Sequence, residues 1–394
     1  MPEGRRIVLL GAMAEMPFAG VAWQVLHYLE GLRRLGHDVV YVEDTGNWPY
    51  DPERDTVTDE AAGAATRLAR LMADAGFAGR WAFVNAARAG EVWGMTHEDM
   101  ADAMARAEVL INLSGATVLK DAHLDVPVRI YLETDPVTPQ LEIASGRQST
   151  IDFLAAHTHH FSFGERLGAP GCEVPVERFA YLPTRQPVVL DWWPAPPAFP
   201  APPPEGLRFT TVSNWEQNHK DIAFDGETYT WSKSAEFLKL LDVPGRAGVT
   251  IELALALDDD ATIALLRRSG FGVLHALSLS REPGAYRAFI TASGAEFTAA
   301  KDQNVRLRSG WFSDRTATYL ATGRPAVVQD TGFDVALPVG EGLLAFRTAD
   351  EAVDALQRVA GDYERHSRAA QALAQEHFRA ETVLGALLER AGVA

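Results

Sequence analysis

Two short stretches of this 394-residue chain combine residue types that together can hold an anion. In the first, Lys301-Asp302 precedes Arg308-Ser309-Gly310-Trp311-Phe312-Ser313-Asp314-Arg315, which runs into a helical pattern ending near residue 321. Small residues such as Ser309, Gly310 and Ser313 let a ligand approach the backbone, while the free N–H groups and the dipole of a helix start favour negative charge. With Lys301, Arg308 and Arg315 alongside, a diphosphate suits the turn. The same residues also fit a plain helix start capped by Ser313 or Asp314. The second stretch, Asp330-Thr331-Gly332-Phe333, follows the next apolar run. Here Thr331 and Gly332 would bare another amide if Gly332 takes a positive φ, although the same turn can simply end a strand.

Further candidates also sit where an apolar run ends or a helix begins. Glu133 and Asp135 close the run 128–132 and could deprotonate or position an incoming hydroxyl, although Asp135-Pro136 is also a turn starter. Asn214 and Trp215 follow the run 208–212. Gly20, at the start of the first helical segment, suits close approach of an acceptor or a phosphate and equally a plain strand-to-helix turn, and His27 lies seven residues on, where a core or surface histidine also fits. His157, His159 and His160 lack the spacing of a zinc site, and Asp258-Asp259-Asp260 reads as a solvated loop or helix cap, so no metal is expected. Neither Gly-x-Gly-x-x-Gly nor a Gly-Lys-Ser/Thr phosphate loop occurs, which disfavours nicotinamide oxidoreductases and P-loop nucleotide hydrolases.

These residues need a framework that gathers strand ends. Apolar runs at 6–10, 39–42, 109–112, 128–132 and 159–163 alternate with amphipathic helical segments at 21–35, 61–75 and 98–107. After a break, runs at 208–212, 249–256, 272–276, 296–300, 326–329 and 343–346 alternate with helical segments at 261–269, 286–292, 312–321 and 349–359, and a helical tail covers 362–391. Continuous apolar strands between amphipathic helices imply parallel sheets covered on both faces. Nine prolines between Pro183 and Pro204 exclude regular structure and mark a linker. The expectation is therefore an α/β, doubly wound protein with a domain over residues 1–185, a linker over 186–206, a second domain over 207–371 and a final helix over 372–394. Ligands of open parallel sheets bind beyond the strands' carboxyl ends, so two facing sheets would gather the candidates around an interdomain cleft.

Composition narrows the partners. Lys plus Arg number 36 against 53 Asp plus Glu, a net charge of −17, which repels nucleic acid and anionic lipid. Small molecules are the expected partners, and no nucleic acid. The single cysteine, Cys172, has no internal partner, and only four strongly apolar residues precede Gly11, too few for a signal-peptide core. No run approaches the roughly 18 to 20 apolar residues of a membrane span. A cytoplasmic protein is the simplest expectation, and the sequence leaves its oligomeric state open.

Over essentially its whole length the chain resembles a GT-B glycosyltransferase. The segment from Gly20-Val21-Ala22-Trp23 to Gly36-His37-Asp38-Val39 resembles the first helix and second strand of that superfamily, and residues 295–301 resemble the strand before its donor loop. Gly310-Trp311-Phe312-Ser313 is similar to its Gly-Phe-Gly turn, residues 319–328 to the helix and strand that follow, and Gly342-Leu343-Leu344-Ala345-Phe346 to its later Gly-Leu-Leu segment. One departure stands out: Thr318 occupies the place where retaining members carry a glutamate that grips the nucleotide ribose.

The resemblance implies metal-independent transfer of a sugar from a nucleoside diphosphate sugar, with UDP or dTDP as the nucleotide, to an acceptor nucleophile. The donor would be a co-substrate, with no resident cofactor. It would lie against Asn214, Trp215, Lys301, Ser309, Gly310, Ser313, Asp314, Arg315, Thr331 and Gly332, the acceptor against Gly20 and His27, and the reacting hydroxyl against Asp135 or Glu133. Lys301, Arg315 and the helix amides would neutralise the leaving group. The alternatives are an epimerase or hydrolase of the same fold and a non-catalytic nucleotide-sugar-binding protein, the latter favoured by Thr318.

Overall fold

The computed structural model describes residues 4–88, 90–203 and 206–393; Pro204, the last proline of the linker run, lies outside the described residues. The first lobe is built on β1 (Arg6–Leu10), β2 (Asp38–Glu43), β3 (Trp81–Val84), β4 (Val92–Gly94), β5 (Val109–Leu113), β6 (Val128–Glu133), β7 (His159–Ser162) and β8 (Tyr181–Pro183). These form one sheet in the order β8-β7-β6-β5-β1-β2-β3-β4, parallel except for β4, which runs antiparallel to β3. Ile7, Val8, Leu9 and Leu10 are all fully buried, because helices cover both faces, and this is why the strand is a continuous apolar run rather than an alternating one.

The second lobe holds β9 (Arg208–Asn214), β10 (Thr250–Ala256), β11 (Phe271–His275), β12 (Ala295–Thr298), β13 (Ala326–Gln329) and β14 (Leu343–Phe346), in the order β11-β10-β9-β12-β13-β14. All its pairings are parallel. Strand order reverses between β1 and β5 in one sheet and between β9 and β12 in the other, and a crevice opens at each reversal. The doubly wound α/β class is as the sequence indicates. Several elements lack a legible signal there, including β3, β4, the helices Thr138–Ala144 and Gln148–Ala155, and the hairpin Ile222–Phe224 with Glu227–Tyr229. Each is too short for its periodicity to stand out from the flanking loops.

The proline-rich segment does structural work between its prolines. Val188, Val189 and Trp193 are buried, and Val188 pairs with the far end of the chain: its N–H donates to the Phe378 carbonyl (2.7 Å) and its own carbonyl accepts from the Ala380 N–H (2.9 Å). The tail forms two helices, Tyr363–His377 and Ala380–Arg390. The first packs on the helix Asp314–Ala321 of the second lobe and the last packs on Ala19–Arg34 of the first. The latter contact depends on Gly31, where a Cβ would sit 2.5 Å from Leu384 Cδ1 and 2.9 Å from Ala380 Cβ.

Between the two tail helices Phe378 is fully buried and stacks on Phe312, ring centroids 5.5 Å apart. Phe312, Leu320, Phe378, Trp193 and Leu29 belong to one hydrophobic cluster that runs through both lobes. Polar contacts add to the seam: the Trp23 indole N–H donates to the Pro283 carbonyl (3.0 Å) and that of Trp311 to the Thr134 carbonyl (2.8 Å). No helix among the described residues is long and apolar enough to cross a membrane.

Truncating Phe378 to alanine removes a ring from the centre of this junction. Phe378→Ala is expected to cost about 3–5 kcal/mol in urea unfolding; a loss below about 1 kcal/mol would place Phe378 outside the stabilising core.

Candidate functional site

Between the carboxyl ends of the two sheets lies a cavity of about 1270 Å³. The first lobe lines it with Gly11 and Ala12 after β1, with Gly20, with Ser114 after β5 and with Thr134 and Asp135 after β6. The second lobe contributes Asn214 at the end of β9, His275 at the end of β11, Lys301 after β12 and Ser313, Asp314 and Arg315 at the start of the helix Asp314–Ala321. Both walls are strand ends flanking a reversal of strand order, which is where the topology alone puts a crevice.

Two lysines define its electrostatics. Lys301 forms an ion pair with Asp135 across the cleft, and its Nζ lies 3.6 Å from the centroid of the Trp231 ring and 5.5 Å from that of Trp311. Lys233 precedes the short helix Ser234–Leu238 and is only 6% exposed. Its Nζ lies 6.0 Å from the Trp311 centroid. No side-chain hydrogen bond compensates Lys233 among the described residues; burial drives its pKa well below the ordinary lysine value, and the charges of Arg315 and Lys301 push the same way. Burial also depresses Lys301, with Asp135 opposing. Two buried ammonium groups therefore face one indole with a single carboxylate paired to them, an arrangement that is costly unless an anion completes it.

Arg315, expected from the sequence to offer its charge to a ligand, is engaged within its own lobe. Its Nε donates to Glu296 Oε1 (2.6 Å), Nη1 to the Val212 carbonyl (2.7 Å) and Nη2 to Thr298 Oγ1 (2.9 Å). Ser309, Gly310, Thr331 and Gly332 also differ from their expected placement, because they form the seam between the lobes rather than the cavity wall. Ser309 Oγ donates to Asn304 Oδ1 (2.6 Å), the Gly310 N–H to the Thr331 carbonyl (2.8 Å), the Thr331 hydroxyl to the Trp311 carbonyl (2.5 Å) and the Gly332 N–H to Asp330 Oδ1 (2.7 Å). The two glycines do have positive φ, +77° and +97°. What approaches them is Arg166 of the first lobe: a Cβ at Gly310 would lie 2.7 Å from Arg166 Cγ, and one at Gly332 2.9 Å from Arg166 Cδ.

His27 lines a small pocket with Gly20, Gln24, Asp314 and Arg315, residues that also border the main cavity, its ring nitrogens 3.1 Å from the Val189 N and 2.9 Å from the Trp193 Nε1. Burial pulls its pKa down to about 3, so the ring is neutral. A neutral imidazole accepts at one nitrogen, so one of these contacts is a hydrogen bond and the other only a close approach. His27 thus holds the linker segment as a neutral ring. The Trp215 ring is largely buried, stacked on Phe237 at 5.8 Å, while the residue still borders the cavity, and its carbonyl accepts from the Lys233 N–H (3.1 Å). The Thr318 hydroxyl is turned onto its own helix, donating to the Arg315 carbonyl (2.7 Å).

Glu133 is 1% exposed and its carboxylate accepts from Gln140 Nε2 (2.8 and 3.0 Å) and Ser162 Oγ (2.6 Å). Burial raises its pKa to about 7, those hydrogen bonds opposing. Gln140 Oε1 in turn accepts from the Val137 N–H (2.6 Å). Val137 has φ +97°, a conformation that a β-branched residue holds only under constraint. Glu133 thereby pins, through Gln140, the turn that presents Asp135, whose side chain is 37% exposed. His157 Nδ1 faces the Phe153 carbonyl (3.1 Å) and His160 Nε2 the Leu154 carbonyl (2.9 Å), so both rings are tied into the first lobe.

Sequence reasoning misses Lys233 and Trp231. The one local signal is a lysine at a helix mouth beside an aromatic residue, in Trp231-Ser232-Lys233-Ser234, and nothing in that spacing shows that Lys233 is buried beside Lys301.

No family model matches the chain, and no curated protein matches it in sequence. Solved structures do. AviGT4, a glycosyltransferase involved in avilamycin A biosynthesis, is similar at a TM-score of 0.54 and 14% identity over 98% of this chain and 96% of that one. Alr3699/HepE of Anabaena, in complex with UDP and glucose, gives 0.54 and 11% over 99% of this chain and 100% of its own. An alpha-glucosyltransferase in complex with UDP and a 13-mer DNA gives 0.54 and 11% over 100% of both chains. The chain thus has the GT-B glycosyltransferase fold.

An uncompensated buried ammonium group destabilises the protein that carries it. Lys233→Met is therefore expected to raise stability by about 1 kcal/mol or more in denaturant unfolding at neutral pH. The folded state releases the Lys233 proton more readily than the unfolded one, so the gain is full below the depressed pKa and fades as pH rises towards the ordinary lysine range. A destabilised Lys233→Met variant, or a gain that grows with pH, would contradict this account.

Proposed function

We propose that the protein is a glycosyltransferase that moves a sugar from a nucleoside diphosphate sugar to the hydroxyl of a small-molecule acceptor. The observation that carries the reading is the pair of buried lysines, Lys233 and Lys301, beside Trp311, with Asp135 the one carboxylate ion-paired to either among the described residues. A diphosphate brings the missing negative charge, and the start of the helix Asp314–Ala321 on the same wall adds its dipole. A diphosphate beside the two lysines favours their charged forms, and together they do what a divalent ion does elsewhere, which supports transfer without a metal. Asn214, exposed at the end of β9, and His275, whose Nε2 lies 3.1 Å from Asp258 Oδ1, line the same wall and suit the polar edges of a nucleoside. The UDP complexes among the structural neighbours favour UDP or dTDP for the base.

In the reaction the acceptor oxygen forms its bond to the anomeric carbon as that carbon's bond to the diphosphate oxygen breaks. The electron pair leaves with the nucleoside diphosphate, held by Lys233 and Lys301, and the acceptor proton passes to the Asp135 carboxylate. Asp135 is the group we assign to that proton because it reaches the cavity from the first lobe. Glu133 positions it through Gln140 and Val137 and takes no proton from the acceptor. Gly20, on the same lobe, leaves room for the acceptor.

Thermal-shift measurement against UDP, dTDP, GDP and ADP, with and without Mg²⁺, tests this reading together with a screen for nucleoside diphosphate release that requires an acceptor. One nucleotide is expected to stabilise the protein, by about 2.7 kcal/mol at a hundred times its dissociation constant, without Mg²⁺. The double substitution Lys233→Met with Lys301→Met is expected to remove that response. An unchanged shift in the double variant would sink the placement of the diphosphate, and release of nucleoside diphosphate at the same rate without any acceptor would make the protein a hydrolase.

A further inference from the structure

The Lys301–Asp135 pair is an unusual resident of such a cavity. It joins the two lobes: Asp135 stands on the turn after β6 and Lys301 follows β12. Its two ends are unequally covered, the Lys301 side chain being 13% exposed and that of Asp135 37%. Lys301 is held on its other sides by Trp231 and Trp311, and Trp311 is fixed to the Asp135 turn by its indole hydrogen bond to the Thr134 carbonyl (2.8 Å). Lys233 has no comparable carboxylate partner. The lysine that Asp135 reaches is thus compensated and the one it cannot reach is not.

We propose that Asp135 is the resident counter-ion of Lys301 in the empty site, and that the donor's diphosphate displaces it, so that the carboxylate is freed to take the acceptor proton only once donor is bound. This rests on the function proposed above and adds an order of events to it. A carboxylate carries one negative charge and is already attached to the opposite lobe; a diphosphate carries more charge and can touch Lys233 and Lys301 together, so it wins the exchange at Lys301. Held by the ammonium group, the Asp135 carboxylate is occupied and aimed at the second lobe; released, it is the first lobe's exposed carboxylate at the reacting hydroxyl. An acceptor that enters first meets an occupied base. The strained turn at Val137, pinned by the Gln140 side chain, keeps Asp135 in reach throughout, so the exchange needs a side-chain rotation and no movement of the lobes.

The test is isothermal titration of the full chain with UDP, dTDP, GDP and ADP, followed by a double-mutant cycle on the nucleotide that binds. Asp135→Asn, which keeps the shape and removes the competitor, is expected to bind that nucleotide about fivefold more tightly than the unsubstituted protein. In a Lys301→Met background the same Asp135→Asn change is expected to gain less than about twofold, because there is no longer a cation to contest. Equal or weaker binding by Asp135→Asn overturns the exchange. So does an undiminished gain in the Lys301→Met background, which would mean simple repulsion between Asp135 and the nucleotide. A structure of the unsubstituted protein with the nucleotide bound provides a readout independent of any variant: the Asp135–Lys301 contact is expected to be broken, and an intact contact beside bound diphosphate rejects the exchange. If the unsubstituted protein binds none of the four nucleotides, the proposed function itself fails, an outcome distinct from these.

Discussion

Two ammonium groups held together out of water are the constraint around which the cleft is organised. In a chain of net charge −17, cations are easily neutralised, yet Lys233 has no compensating hydrogen bond among the described residues and Lys301 meets a carboxylate only from the opposite lobe. The local surroundings make this tolerable. Aromatic faces lie over both ammonium groups, and Trp231 carries a further lysine, Lys220, 4.6 Å from its ring centroid, so ring quadrupoles offset part of what solvent would have supplied. Arg315, which would add a third positive charge at the same wall, is cancelled by Glu296. Lys233 and Lys301 are thus cations of this wall that no carboxylate of their own lobe pairs with among the described residues.

That field has meaning only if the lobes hold their separation, and the seam sees to it. Phe312, Phe378 and the buried side chains between the prolines continue one hydrophobic cluster from lobe to lobe. At the other end of the seam Arg166 fits into the space that Gly310 and Gly332 leave by lacking a Cβ. Glycine here serves a protein–protein approach within one chain, and the physical reason is the same as for a ligand: both need backbone without a side chain in the way.

Much of the framework is legible in the sequence because it rests on local periodicity. β13 and β14 coincide residue for residue with the apolar runs 326–329 and 343–346, and the cleft follows from parallel strands that end in polar residues. The site is less legible because its charges depend on partners far away in the chain. Nothing near Arg315 announces that Glu296 consumes it, nothing near Gly310 that Arg166 covers it, and nothing near Lys233 that Lys301 is its neighbour. Asp135 and Lys301 could be singled out from their positions after strands, whereas their pairing across 166 residues of chain could not. The segment between β9 and the helix Ser234–Leu238, which carries Trp231 and Lys233, holds only a hairpin of three-residue strands, too short a period from which to place its side chains.

The docking of the last helix on the first one bears on how the molecule is made. The groove beside Gly31 on the helix Ala19–Arg34 is filled by Ala380 and Leu384, residues synthesised long after it. Domains generally fold as units, amino-terminal first, during synthesis, but here the earliest lobe waits for the final helix to cover its own. Until that helix has been made, an apolar stripe stays bare on the nascent chain, so the first lobe's surface is completed only by residues synthesised after the second lobe.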